Sequence, residues 1–192
     1  MSHAFSCYCH NWSLGVTICG QAYSDSRGLW LGHLPHSHRE GAINLDLECG
    51  VTPKQLAEEY GINLEANQNL AAKSASGSAK FDAYVICPAS GTTIGKIAAG
   101  ISDNLATRSA LVALKERRKL ILVPRETPVA TPHLEAMAKL SSWGVVILPA
   151  SPGFYKNPET IEDLIDFVVA RILDQLDVEH GVGSRWTGKE VS

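Results

Sequence analysis

Ala83-Tyr84-Val85-Ile86-Cys87, closed by Pro88 and followed by Ser90-Gly91-Thr92-Thr93, is the stretch that decides the fold. An unbroken apolar run of this length, without polar alternation, predicts a strand buried on both faces, as in a parallel sheet. Thr92 and Thr93 can cap the helix that follows, which runs towards Gly100. The same unit recurs downstream. Leu120-Ile121-Leu122-Val123 is closed by Pro124, and Val145-Val146-Ile147-Leu148 by Pro149. Helical stretches lie between them. Leu105 to Arg118 places Lys115, Arg117 and Arg118 at the negative end of a helix, and Pro132 opens another that stops at Gly144. Asn157-Pro158 starts the last helix. There Ile161, Leu164, Ile165, Val168, Val169, Ile172, Leu173 and Leu176 form a core-facing stripe. Upstream, Thr52-Pro53 opens a short helix through Glu59. Strands alternating with amphipathic helices make an α/β fold: a parallel sheet with helices on both faces.

Composition narrows the function classes. The chain has 192 residues, 45% apolar and 19% charged, which suits a folded domain with its own core. Seventeen basic residues against 20 acidic ones leave a net charge of −3, so no basic excess exists to hold nucleic acid. No apolar run approaches the roughly 20 residues that cross a bilayer, and no signal-peptide pattern opens the sequence. Five cysteines, an odd number, suit free thiols in a reducing cytoplasm.

In an open α/β sheet, ligands bind beyond the carboxyl ends of the strands. Three segments must meet there. Ser90, Gly91, Thr92 and Thr93 bring hydroxyls and backbone N–H groups to a helix N-terminus, which suits a phosphate or a polar ring edge. Arg125, Glu126 and Thr127 follow the second run, and Gly153, Phe154 and Tyr155 the third. The plain alternative for Arg125 and Glu126 is a surface ion pair worth under about 1 kcal/mol.

These residues resemble a known family. Val123-Pro124-Arg125-Glu126-Thr127-Pro128 is similar to the signature of the UbiX/Pad-type flavin prenyltransferases. So are Gly100 to Arg108, Gly153-Phe154-Tyr155, Thr160 to Leu164 and Asp166 to Arg171, within a resemblance that covers residues 43–187. It implies a three-layer flavodoxin-like (Rossmann-like) fold and a homo-oligomer, dodecameric in that family. It also implies reduced FMN as prenyl acceptor, dimethylallyl phosphate as donor, no metal, and a UbiD-type decarboxylase as recipient of the prenylated flavin. By motif, Ser90, Thr93 and Arg108 hold the flavin and its phosphate, with Gly91 and Thr92 in the same turn. Lys115, Tyr155 and Arg171 bind the prenyl phosphate with Arg125 beside them, Glu126 handles protons, and Trp186 closes over the isoprenoid. An allylic cation forms readily once its departing phosphate is stabilised by cationic donors and a phenol, and a dry lid keeps water from it. Each residue also has a plain structural reading. Arg108 and Lys115, seven apart, can decorate a solvated helix face; Tyr155 can cover the core; Arg171 can snorkel beside an apolar stripe.

Residues 1–42 differ from the rest. They hold five of the seven histidines, three of the five cysteines and no lysine, and follow neither apolar period. The expected organisation is an atypical segment over 1–42, a flavoprotein domain over 43–178 and a polar arm over 179–192. The family's first strand and Gly-Ala-Ser-Gly loop are not legible. Cys7, Cys9 and His10 with His33, His36 and His38 lack a standard zinc spacing. A shifted reading frame explains the segment better. One back-translation of His10-Asn11-Trp12-Ser13-Leu14-Gly15, read from its second base, gives Ile-Thr-Gly-Ala-Ser-Gly. On that reading the first strand and its phosphate loop are damaged, and flavin binding is weakened.

Three other functions compete. Pro88-Ala89-Ser90-Gly91-Thr92-Thr93 is close to the Pro-Ala-Ser-Ala-Asn-Thr of flavin-dependent cysteine-type decarboxylases, with Thr92 in place of the Asn. A metal-dependent prenyltransferase is the second, since Glu162-Asp163-x-x-Asp166 resembles a magnesium–diphosphate cluster, though acids in a first helical turn are favoured by the helix dipole alone. A non-catalytic flavin-binding protein is the third.

Overall fold

The three apolar runs are parallel neighbours in one sheet. In the computed structural model, which describes residues 5–9, 29–30, 52–60, 63–155, 157–183 and 188, the strands are β1 (Phe5–Cys9), β2 (Leu29–Trp30), β3 (Ala83–Ala89), β4 (Lys119–Pro124) and β5 (Val146–Ile147). All pairings are parallel, in the order β2-β1-β3-β4-β5. This is the flavodoxin-like order, whose direction of winding reverses between β1 and β3. Such a reversal leaves a crevice beyond the carboxyl ends of those two strands.

Among the described residues, five α-helices connect or flank the strands: α1 (Pro53–Tyr60), α2 (Gly91–Ala98), α3 (Leu105–Lys115), α4 (Thr131–Ser142) and α5 (Ile161–Gln175). Alternate residues of the strands divide the core into two. Val85, Cys87, Ile121 and Val123 pack with Val168, Val169, Ile172 and Leu173 of α5 on one face. Tyr84, Ile86, Leu120 and Leu122 pack with residues of α2, α3 and α4 on the other. Every residue of β3 is buried, as a strand covered on both faces requires.

The boundaries differ from the sequence reading in ways the local chemistry explains. Ser90, not Thr92 or Thr93, is the N-cap of α2, because it alone has extended backbone while its Oγ accepts from the Thr93 amide. α3 stops at Lys115, since Arg117 turns into the left-handed region at φ 56°. α5 begins at Ile161 rather than at Pro158. Thr160 and Asp163 form a reciprocal capping box there, and Asn157 sits at φ 51° outside the helix. Ile161 consequently falls outside the stripe and is 71% exposed. β5 has only two ladder pairs, but the amides of Leu148 and Ala150 continue the bonding to Leu122 and Pro124 carbonyls.

Residues 1–42 give no strand pattern, yet two strands form there. β1 runs in register with β3 from Phe5 opposite Ala83 to Cys9 opposite Cys87. The expectation of a damaged first strand is corrected to that extent: a neighbour that offers a complete ladder outweighs weak local patterning. The stretch read as a shifted phosphate loop, from His10 onward, lies outside the described residues, as do His33, His36 and His38.

Candidate functional site

Two strand ends are joined by one carboxylate. At the end of β3, Ser90 Oγ accepts from the Thr93 amide at 3.2 Å and lies 3.0 Å from Thr93 Oγ1. The next amide, that of buried Gly91, donates to Glu126 Oε1 at 3.0 Å. Glu126 follows β4, and its Oε2 lies 3.0 Å from Nδ1 of His133 on α4. The Gly91 amide and, after it, His133 hold the Glu126 carboxyl below its ordinary range, against a smaller opposing effect of burial. Glycine at 91 is required by space, since a Cβ there would lie 2.1 Å from His133 Cε1 and 2.7 Å from Glu126 Oε2.

Arg125 is exposed. The plain surface-pair reading of Arg125 with Glu126 is not what forms among the described residues. The carboxylate is engaged by Gly91 and His133, and Arg125 contributes only a weak favourable field. Sequence reasoning did not single out His133. The signal was an imidazole near the start of a helix leaving the Arg-Glu turn.

The third strand end builds a separate wall. The Tyr155 ring stands edge-on to Phe167 of α5, with centroids 6.0 Å apart and planes at 82°. A Cβ on Gly153 would lie 2.7 Å from the Tyr155 ring. Tyr155 and Arg171 line one cleft of 740 Å³ along α5, together with Asp166, Asp174 and His180. Burial, followed by the charges of Asp163 and Glu162, raises the Asp166 carboxyl above its usual value. Asp163 serves the helix cap. Its Oδ2 accepts from the amides of Glu159 and Thr160, both at 2.9 Å, and these hold its carboxyl low. The acidic run thus acts as a helix start, and among the described residues no three His, Cys, Asp or Glu side chains are grouped to hold a metal.

The remaining site residues fall elsewhere. Arg108 is exposed in the first turn of α3. Lys115 closes the same helix and pairs with Glu116 at 3.0 Å. Seven residues of helix separate them by about 10 Å, and a crossover helix runs back towards the amino edge of the sheet. Within one chain, therefore, Lys115 is carried away from the strand ends where Glu126 sits. Trp186 lies outside the described residues.

The donors at the β3 end fit a flavin phosphate or ring edge. They are two hydroxyls on a helix N-terminus, beside the crevice where the strand order reverses, with a glycine that admits close approach. The family model described as Flavoprotein matches residues 46–173. The chain belongs to the flavoprotein family, among its UbiX-type flavin prenyltransferases. The flavin prenyltransferase UbiX of Methanothermobacter thermautotrophicus is 45% identical over 144 residues, which is 75% of each chain. The matches to the UbiX proteins of Thermoplasma acidophilum and Pseudomonas aeruginosa span 67% and 54% of those proteins' length. The crystal structure of a dodecameric FMN-dependent UbiX-like decarboxylase from Escherichia coli O157:H7 superposes with a TM-score of 0.86 at 34% identity. It covers 98% of this chain and 100% of that one. A crystal structure of AnUbiX with FMN and dimethylallyl pyrophosphate gives 0.88 at 31% identity, covering 98% and 99%. Among the described residues, no helix is long and apolar enough to cross a membrane.

Proposed function

We infer that this UbiX-type chain is a flavin prenyltransferase. It joins the dimethylallyl group of dimethylallyl phosphate to N5 and C6 of reduced FMN, making the prenylated cofactor of a UbiD-type decarboxylase. The observation that carries this reading is the seat of Glu126 on the Gly91 amide, which ties the Ser90–Thr93 turn to the Arg125–Glu126 turn at the flavin edge of the fold. Reduced FMN, when bound, supplies the nucleophilic N5 and C6. Ser90, Gly91, Thr92 and Thr93 would hold it, with Arg108 reaching its phosphate.

Glu126 is the proton-handling group. Its Oε1 is committed to the Gly91 amide, so a proton is taken up or passed on at Oε2, beside His133 Nδ1. The Tyr155 hydroxyl and the Arg171 guanidinium take the charge of the departing phosphate, helped by Arg125. Lys115 joins this set from a neighbouring copy in a homo-oligomer, dodecameric like the Escherichia coli structure. Trp186, on the arm beyond residue 178, excludes water from the allylic cation. The flavoprotein domain of this reading spans residues 43–178, and its setting is the cytoplasm.

The test is incubation of the protein with reduced FMN and dimethylallyl phosphate, followed by mass analysis of the released flavin. The expected product is heavier than FMN by one isoprenoid unit. Unchanged FMN, with the parent protein folded, rejects the reading. The cysteine-type decarboxylase is disfavoured at Thr92, where that group's motif carries Asn. A solved FMN-dependent cysteine decarboxylase, at 19% identity and a TM-score of 0.57, shares the fold alone.

A further inference from the structure

We propose that His180 is a positioning residue for the donor site: it orients Arg171 through Asp174. This rests on the reading of Arg171 as a phosphate-binding group. The two oxygens of Asp174 are divided between the two partners. Oδ2 accepts from Arg171 Nη1 at 2.8 Å, and Oδ1 lies 3.1 Å from His180 Nε2. The His180 side chain is 2% exposed, while that of Arg171 is 56% exposed. A buried ring therefore fixes one end of a relay whose other end stands in the cleft beside Tyr155.

The buried nitrogen sets the ring's role. His180 Nδ1 has no hydrogen-bond partner among the described residues. A buried N–H without an acceptor costs more than a buried lone pair, so the hydrogen sits on Nε2 and points at Asp174. An N–H donor on Oδ1 leaves the carboxylate one orientation, with Oδ2 turned to Arg171. An Arg held only by a neighbour three residues away on an exposed helix face would gain little order, because such surface pairs are weak and screened by solvent. The added buried contact gives the guanidinium a fixed direction. One of its five N–H groups is spent on Asp174, and the rest remain for the phosphate. The ring also ties the chain beyond α5 to the helix. Val178 and Val182 are buried on either side of it, and Gly183 lies against Ala170.

The experiment measures dimethylallyl phosphate binding by calorimetry to protein loaded with oxidised FMN, and separately KM and kcat with reduced FMN. His180→Phe keeps the packing and removes the hydrogen bond; His180→Asn keeps a polar group; Arg171→Lys removes the fork. The expected result is about tenfold weaker donor binding in each His180 variant, with KM raised and kcat within about twofold. Arg171→Lys combined with His180→Phe should be no weaker than the worse single variant, because both act on one group. FMN binding and melting temperature should stay near the parent's in at least one His180 variant. Donor binding within twofold of the parent in both His180 variants, while Arg171→Lys weakens it, overturns the proposal. So do effects that multiply in the double variant. A parent that binds no dimethylallyl phosphate, or an Arg171→Lys variant that binds it as the parent does, overturns the reading of the donor site beneath it.

Discussion

The amide of Gly91 donates to Oε1 of Glu126 across 3.0 Å, although 35 positions separate them in the chain. Gly91 is the first residue of α2, two residues beyond β3, and Glu126 lies two residues beyond β4. The bond therefore closes the gap between two neighbouring strand ends. A helix N-terminus has unsatisfied N–H groups and a partial positive charge, and a carboxylate answers both. The same bond keeps Glu126 ionised and fixes which oxygen remains for chemistry.

Replacing Glu126 by Gln keeps size and can keep the bond from Gly91, but removes the charge and the proton-accepting oxygen. Turnover to the prenylated flavin should fall by about 10²- to 10⁴-fold, the usual worth of a positioned acid–base group. FMN affinity should stay within a few fold. Stopped-flow measurement of flavin prenylation alongside a binding titration checks both. Retained turnover removes Glu126 from the chemistry.

Gly91→Ala tests the closeness of the same contact. The new methyl meets His133 and Glu126 well inside van der Waals distance, so the carboxylate must move off the helix end. Overpacking of this kind costs about 1–3 kcal/mol. Denaturant unfolding should show that loss, and flavin binding should weaken with it. Gly95→Ala, where a Cβ meets nothing within 4 Å among the described residues, is the control: flavin binding should be unchanged, and stability should hold or rise by up to about 1 kcal/mol, since Ala is the better helix former.

The fold was legible because β3 and nearly all of β4 are buried on both faces, while β5, only half-buried, keeps the same apolar run. Residues 83–87, 120–123 and 145–148 are apolar throughout, and each lies in or beside a parallel strand. The turns at their carboxyl ends were legible for the same reason, since a buried strand must stop at its polar neighbours. Contacts made through loops and helix ends were not. His133 and Glu126 are 7 positions apart and His180 and Asp174 are 6 apart, and each pair meets through the turn between them rather than through a helical or strand repeat. Helix starts were misread where a proline drew attention from the side chain that caps. Asp163, read as one member of an acidic run, spends its oxygen on the amides of Glu159 and Thr160. β1 was invisible because its partner strand, rather than its own pattern, defines it.

That cap sets a pH dependence with a definite sign. The folded-state carboxyl of Asp163 is depressed by the Thr160 and Glu159 amides, so the folded protein prefers it ionised. Its stabilisation is fully present above the unfolded aspartate value of about 3.9 and is lost as pH falls through the lower folded value. Asp163→Asn should therefore melt below the parent at pH 7. The gap should close as the pH falls through the lowered folded value, when the parent's carboxyl protonates too. Parallel melting curves at several pH values check this, and a gap that widens in acid contradicts it.

Two isoleucines of the last helix separate burial from pattern. Ile161 and Ile172 share one apolar repeat in the sequence, yet the first is 71% exposed and the second 0%. Ile172 packs against the β3 and β4 residues of its face of the sheet, so Ile172→Ala leaves a cavity there and should cost about 2–5 kcal/mol. Ile161→Ala removes an exposed group at the first turn and should stay within about 0.5 kcal/mol of the parent. Urea titrations of the two variants at one protein concentration give the comparison. Should Ile161→Ala instead lose stability in step with a shift to smaller assemblies on sedimentation, the exposed side chain is one that a second copy of this chain covers.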